Sequence, residues 1–121
     1  MSKNVELVVL FERLFLDVKE LSKLFSVTKR TAQYWFTGEY KPSQKVMDVL
    51  TLIDEELQKE AEKLSQSASV INTYLSDDSY RNSADFDDRF PLACLNRALA
   101  YRAITIAKSA KKTIKTNIIY E

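Results

Sequence analysis

The sequence predicts an all-α fold, and three observations carry that reading. The 121-residue chain holds one glycine and two prolines, and because these residues punctuate turns and strands, their scarcity favours long uninterrupted helices. Apolar residues recur at steps of three and four through most of the chain, the period of a helix packed on one side. Side-chain oxygens suited to helix starts stand before such stretches at Asp17, Thr28 and Ser43. A composition of 45% hydrophobic and 29% charged residues fits a folded globular protein. The length fits a head over residues 1–66 followed by a small helical lobe over 67–121.

The first helix is expected from Asn4 to Phe15, with Val5, Val8, Val9, Glu12 and Leu16 near one face and Leu7, Leu10, Phe11 and Leu14 widening the apolar stripe. Asp17 precedes Glu20 by three residues, the spacing of a capping box, and starts a short second helix carrying Val18, Leu21, Leu24 and Phe25. Ser26 and Val27 interrupt the pattern, Thr28 caps a third helix, and the sole glycine, Gly38, ends it. After Pro42, Ser43 caps a fourth helix whose stripe runs through Val46, Leu50, Ile53, Leu57, Ala61, Leu64, Ala68 and Ile71, with a break expected in the serine-rich segment Ser65 to Ser69. From Asn72 to Arg89 the chain is polar and acidic but carries Tyr74, Tyr80 and Phe86, with Phe90 just beyond. It reads as an ordered loop with room for a short helix or strand. Pro91 suits the first turn of a last helix bearing Leu92, Leu95, Leu99, Ala103 and Ile106. Beyond it Lys108, Lys111, Lys112 and Lys115 continue at helical spacing, a solvated tail in preference to a phosphate-binding row.

Several classes of function recede. The chain has no histidine and one cysteine, Cys94, set in an apolar run that suits a buried side chain. Neither a structural zinc site nor the commonest general base is available, so no enzyme activity, metal or cofactor is expected. Asp85, Asp87 and Asp88 lack a complete cation-ligand spacing, and no small-molecule substrate is evident. The apolar run from Val5 to Leu16 is broken by Glu6, Glu12 and Arg13, so no signal peptide or membrane span is expected and a cytoplasmic location follows. The net charge of +1 conceals segregation: residues 1–41 hold seven basic against five acidic side chains, 42–90 five against eleven, and 91–121 six against one. Two basic ends flank an acidic centre, as expected when some faces meet phosphate and another does not.

Residues 17–38 carry the functional expectation. Two helices crossing steeply need apolar side chains at the crossing and a small one near the contact. Leu21, Phe25, Val27, Ala32 and Trp35 lie at offsets zero, four, six, eleven and fourteen, and Ser22 fills the small site. This spacing and the run from Val27 to Gly38 resemble the phage repressor and Cro type (XRE-like) of helix-turn-helix, over Met1 to Leu64. Ser26 stands where that family usually has glycine, and Phe36 stands where an acidic residue is common. Phe36 is expected to exchange a polar contact to the first helix, such as one with Arg13, for an apolar one.

The resemblance implies a lambda-repressor-like head that places the helix starting at Thr28 in the major groove of double-stranded DNA. Lys29, Arg30, Gln33 and Tyr34 would then read bases, a suitable chemistry since Lys and Arg donate to guanine and Gln pairs with adenine. Thr28, Thr31, Lys19, Lys23, Tyr40 and Lys41 would contact phosphates. The C-terminal half is more loosely similar to the dimerising lobes of YdiL-like proteins and of autorepressors associated with anti-CRISPR operons, in its apolar-aromatic segment around Tyr74, its loop with Tyr80 and its helix from Leu95 to Ile106. The expected function is a homodimeric repressor of phage type on a palindromic operator. The alternative is a protein-interaction module, an antitoxin or phage adaptor, that uses the same fold and binds through the acidic centre.

Overall fold

Six helices and two short strands make up the computed structural model, which describes residues 5–120. In chain order they are α1 (Val5–Arg13), α2 (Val18–Phe25), α3 (Lys29–Thr37), α4 (Gln44–Ser67), β1 (Val70–Tyr74), α5 (Asp77–Arg81), α6 (Ala93–Ser109) and β2 (Lys115–Ile119). The protein is mainly helical, but the all-α expectation is corrected by β1 and β2, which pair in parallel. The expected stripe ended at Ile71, yet α4 stops at Ser67 within the expected break. The run Val-Ile-Asn-Thr-Tyr that follows is rich in β-branched and aromatic side chains, which suit an extended chain better than a helix.

The chain divides into two compact units, Met1–Asp54 and Glu55–Glu121, with the division falling inside α4. In the first, α1 buries Leu7 and Phe11, with Leu14 beyond its end, while Val9 and Glu12 are exposed. The core face of α1 is therefore the stripe expected only to widen it. Asn4, the expected start, lies outside the described residues. The helix ends with Phe15 in the left-handed region at φ 59°. The Leu16 amide donates to the Phe11 carbonyl and the Phe15 amide to the Glu12 carbonyl, and Leu16 and Phe11 are both buried, the complete Schellman arrangement. The ring of Phe11 stacks on Phe36 of α3, centroids 5.7 Å apart and nearly parallel. Phe36 thus makes its expected apolar contact with α1, and Arg13 instead pairs with Asp54 at 3.1 Å. Ser43 Oγ accepts from the Val46 amide and so caps α4.

The second unit is built around β1. Its Ile71 packs with Ala61 of α4, with Ala100, Ala103 and Ala107 of α6, and with Ile114. Its Tyr74 packs with Tyr80 and Ala93. The polar stretch between β1 and α6 does contain a short helix, α5, capped by Ser76, whose hydroxyl accepts from the Ser79 amide. The last helix begins at Ala93, two residues after Pro91. Its N-cap residue Leu92 has no polar side chain, and the Asp77 carboxylate accepts the Ala93 amide from outside the helix, at 2.8 Å. Lys111 closes α6 at φ 61°, with the Lys112 amide donating to the Ala107 carbonyl. The lysines expected to recur along a helix therefore do not: Lys111 is a cap and Lys115 opens β2.

Arg89 gathers the acidic charge of this unit. Its guanidinium bonds Asp87 at 2.7 Å, Glu60 at 3.0 Å and Glu56 at 3.2 Å, and it lies over the Phe90 ring. Hydrogen bonding from Arg89 holds the Asp87 carboxyl below the usual carboxylate range.

Asn96 governs the outer edge of β1. Its side-chain oxygen accepts from the Tyr74 amide and its nitrogen donates to the Asn72 carbonyl, both at 3.3 Å. Arg97 donates to the Tyr74 carbonyl. One carboxamide on α6 thus substitutes for a neighbouring strand, and at 6% exposure it does so away from water. Replacing Asn96 by Leu keeps the branched shape and leaves two backbone groups without partners, a loss expected to be about 2–6 kcal/mol at about 1–3 kcal/mol each. Urea unfolding measures it, and a loss below about 0.5 kcal/mol would show that this edge is satisfied some other way.

Candidate nucleic-acid interface

The pair α2 and α3 is set by its turn. Asp17 starts α2, with Oδ1 accepting from the Glu20 amide at 2.9 Å. Ser26 ends it in the left-handed region at φ 54°. The Val27 amide then donates to the Ser22 carbonyl at 3.1 Å, while the Ser22 hydroxyl donates to the Val27 carbonyl at 2.6 Å. Ser22, the small residue expected at the crossing, therefore ties the turn from both ends. At the crossing Leu21, Ala32 and Trp35 are buried, and Phe25 meets Trp35 edge to face with centroids 5.9 Å apart. Gly38 closes α3 at φ 84°.

With that face buried, the opposite face of α3 is open. Lys29, Arg30 and Gln33 are exposed, and so are Lys19 and Lys23 on α2 and Tyr40 and Lys41 after α3. Tyr34 is half-buried. Arg30 Nε donates to its hydroxyl at 2.9 Å and the guanidinium lies 5.7 Å from its ring centre. Tyr40 packs edge-on against the same ring at 4.9 Å, and the Tyr40 amide donates to the Tyr34 carbonyl. The structure thus joins Arg30, Tyr34 and Tyr40, expected as separate contacts, into one cluster. The spacing of four between Arg30 and Tyr34 is the signal that could have revealed it.

The two threonines differ in what they can offer. Thr28 caps α3, its hydroxyl oxygen accepting from the Thr31 amide while its proton goes to Thr31 Oγ1, each at 3.1 Å. Thr31 accepts that bond and keeps its own proton to donate. Among the described residues no ion pair involves Lys29, Arg30 or Lys41, so their charge is available to an anion.

The second unit carries the acidic centre. Asp85 is bonded by the Tyr74 hydroxyl and by Asn72, and a cleft beside it is lined by Glu60, Asp87 and Asn96. Burial, with Asp85 adding to it, raises the Tyr74 phenol above its ordinary value, and burial likewise raises Tyr80. Among the described residues no group of three or more His, Cys, Asp or Glu is arranged to hold a metal ion, and no helix is long and apolar enough to cross a membrane. Asn72 and Asn96 organise this region and were missed in the sequence, since an isolated asparagine gives no periodic signal. No protein-family model matches the chain, and no curated protein matches it either.

The strain at Ser26 has a measurable consequence. An L-residue in the left-handed region costs about 1–2 kcal/mol, partly offset by the chain freedom that glycine brings to the unfolded state. Ser26→Gly is expected to raise unfolding stability by about 1 kcal/mol in urea titration. An unchanged or lowered midpoint would mean that the turn does not hold Ser26 in this conformation.

Proposed function

We propose that this chain is a homodimeric, sequence-specific DNA-binding transcriptional regulator acting as a repressor, in which α2 and α3 form a helix-turn-helix and α3 enters the major groove. The observation that carries this reading is the two-sidedness of α3. Ala32 and Trp35 are buried against the first unit's core, while Lys29, Arg30 and Gln33 point away from it with no acidic partner. A purely structural helix has no need of long donor side chains at successive turns of its open face.

The proposed roles follow from the contacts. Arg30 has donors left beyond the one given to Tyr34, enough for the bidentate contact with guanine O6 and N7. Its bond to the Tyr34 hydroxyl and its place over the ring restrict the side chain before DNA arrives, which lowers the entropy lost on binding. Gln33 suits adenine, and Lys29 reads guanine or the adjoining phosphate. Thr31, Lys19, Lys23, Tyr40 and Lys41 set the register on the backbone, and Thr28 contributes through the helix start that it caps. The rival reading, a protein partner on the acidic centre, is weakened because Glu56, Glu60 and Asp87 are already bound to Arg89.

The test begins by selecting bound sites from random duplex DNA with the full chain. A palindrome with half-sites roughly 34 Å apart, one helical turn, is expected. On that site Arg30→Ala should weaken binding by about ten- to a hundredfold and relax the preference at one base pair, while Lys41→Ala should weaken all sequences alike and reduce the salt slope by about 1. Thermal unfolding monitors the fold of each variant. Failure to enrich any sequence, or Arg30→Ala binding as tightly as the parent, would overturn the reading.

A further inference from the structure

The two edges of the small sheet are treated differently. Within a strand, alternate residues direct their backbone N–H and C=O to opposite sides. The Lys115 amide donates to the Ser69 carbonyl and the Leu75 amide to the Ile119 carbonyl, so Lys115, Asn117 and Ile119 face β1, and Thr116 and Ile118 direct theirs outward. The same alternation turns Asn72 and Tyr74 of β1 away from β2, and there Asn96 bonds the Asn72 carbonyl and the Tyr74 amide while Arg97 bonds the Tyr74 carbonyl. The β2 edge has no such seal: among the described residues nothing bonds the outward groups of Thr116 and Ile118. Beside them Ile118 is 51% and Tyr120 76% exposed. A two-stranded sheet is marginal in isolation, and an open, apolar strand edge is a template for another strand.

We propose that the outer edge of β2 pairs antiparallel with β2 of a second copy of this chain, giving one four-stranded sheet in the order β1-β2-β2-β1 about a two-fold axis at Asn117. The proposal rests on the homodimeric reading above and gives that dimer its interface. The occupant follows from backbone parity and charge. Centring the axis on Asn117 sets Thr116 opposite the partner's Ile118, and Ile118 opposite the partner's Thr116. Both are outward-facing, so each pair exchanges two hydrogen bonds and no outward group of the strand is left over.

Lys115 is the only charge in the strand. A pairing in the same direction would set it against its own copy, whereas the antiparallel one separates the two lysines to opposite ends. It also brings the partner's Lys115 beside Ile119, on the sheet face where Asn117 bonds Asn72 and Asn72 bonds the Asp85 carboxylate. Positive charge from one copy thus meets negative charge on the other.

Ile118→Pro tests the interface selectively, because proline there removes an outward N–H and leaves every β1–β2 hydrogen bond in place. Sedimentation equilibrium of the full chain should show a dimer for the parent and a dissociation constant raised at least about a hundredfold in the variant. The far-ultraviolet spectrum should be unchanged. Ile118→Lys, which keeps the N–H and sets like charge across the axis, should weaken the dimer as well. In the parent, the Thr116 and Ile118 amides should become protected from hydrogen exchange as concentration rises through the dissociation constant. A monomeric parent, or an Ile118→Pro variant that dimerises as tightly as the parent, would overturn the proposal. Arg30→Ala separates the two readings. It should weaken operator binding about ten- to a hundredfold yet remain dimeric, whereas Ile118→Pro should retain weak binding to a single half-site.

Discussion

The reciprocal bond pair between Ser22 and Val27 is the constraint on which the first unit rests. A turn this short leaves no slack: the Val27 amide donates to the Ser22 carbonyl, the Ser22 hydroxyl donates to the Val27 carbonyl, and Ser26 must bend left-handed between them. Once α3 leaves the turn at that angle, Ala32 and Trp35 fall inward, and the side chains half a turn away have nowhere to go but solvent. A larger residue at position 22 would push the helices apart and lose both bonds together. The open face of α3 is therefore a product of the turn as much as of its own sequence.

The second unit solves a different problem, that of a parallel strand pair with too little sheet around it. Parallel strands are usually buried on both faces, and β1 meets that condition through α6 on one side and Tyr80 on the other. On its free edge three backbone groups are bonded by the side chains of Asn96 and Arg97 instead of by a neighbouring strand. Nearby, Arg89 concentrates three carboxylates that would otherwise repel one another. The outward backbone groups of Thr116 and Ile118 on β2, by contrast, have no partner among the described residues.

The local signals in the sequence were legible because they depend on residues three or four apart. Asp17, Thr28 and Ser43 cap the helices they precede, Gly38 ends α3, and the crossing residues from Leu21 to Trp35 pack as their spacing requires. The orientation of α1 is not legible in the same way, because apolar residues lie on both of its faces and the one that Val9 shares with Glu12 looks outward. The sheet was illegible for a physical reason. Its pairing joins residues such as Asn72 and Asn117, 45 positions apart, and neither strand has the alternation of a half-buried one, since β1 is largely buried and β2 almost wholly exposed. In the candidate interface, exposure followed from the helical period, but the coupling of Arg30, Tyr34 and Tyr40 and the unequal roles of Thr28 and Thr31 depend on side-chain geometry that spacing does not encode.

Trp35 is the only tryptophan in the chain and sits at 8% exposure in the core of the first unit, whereas the buried tyrosines, Tyr74 and Tyr80, belong to the second. Indole emission therefore belongs wholly to one unit, and a large share of the tyrosine signal belongs to the other. The molecule carries its own pair of optical labels. If the halves melt separately, two wavelengths will record two midpoints without a dye, a tag or a truncated chain. If α4 makes them a single cooperative unit, the traces will coincide.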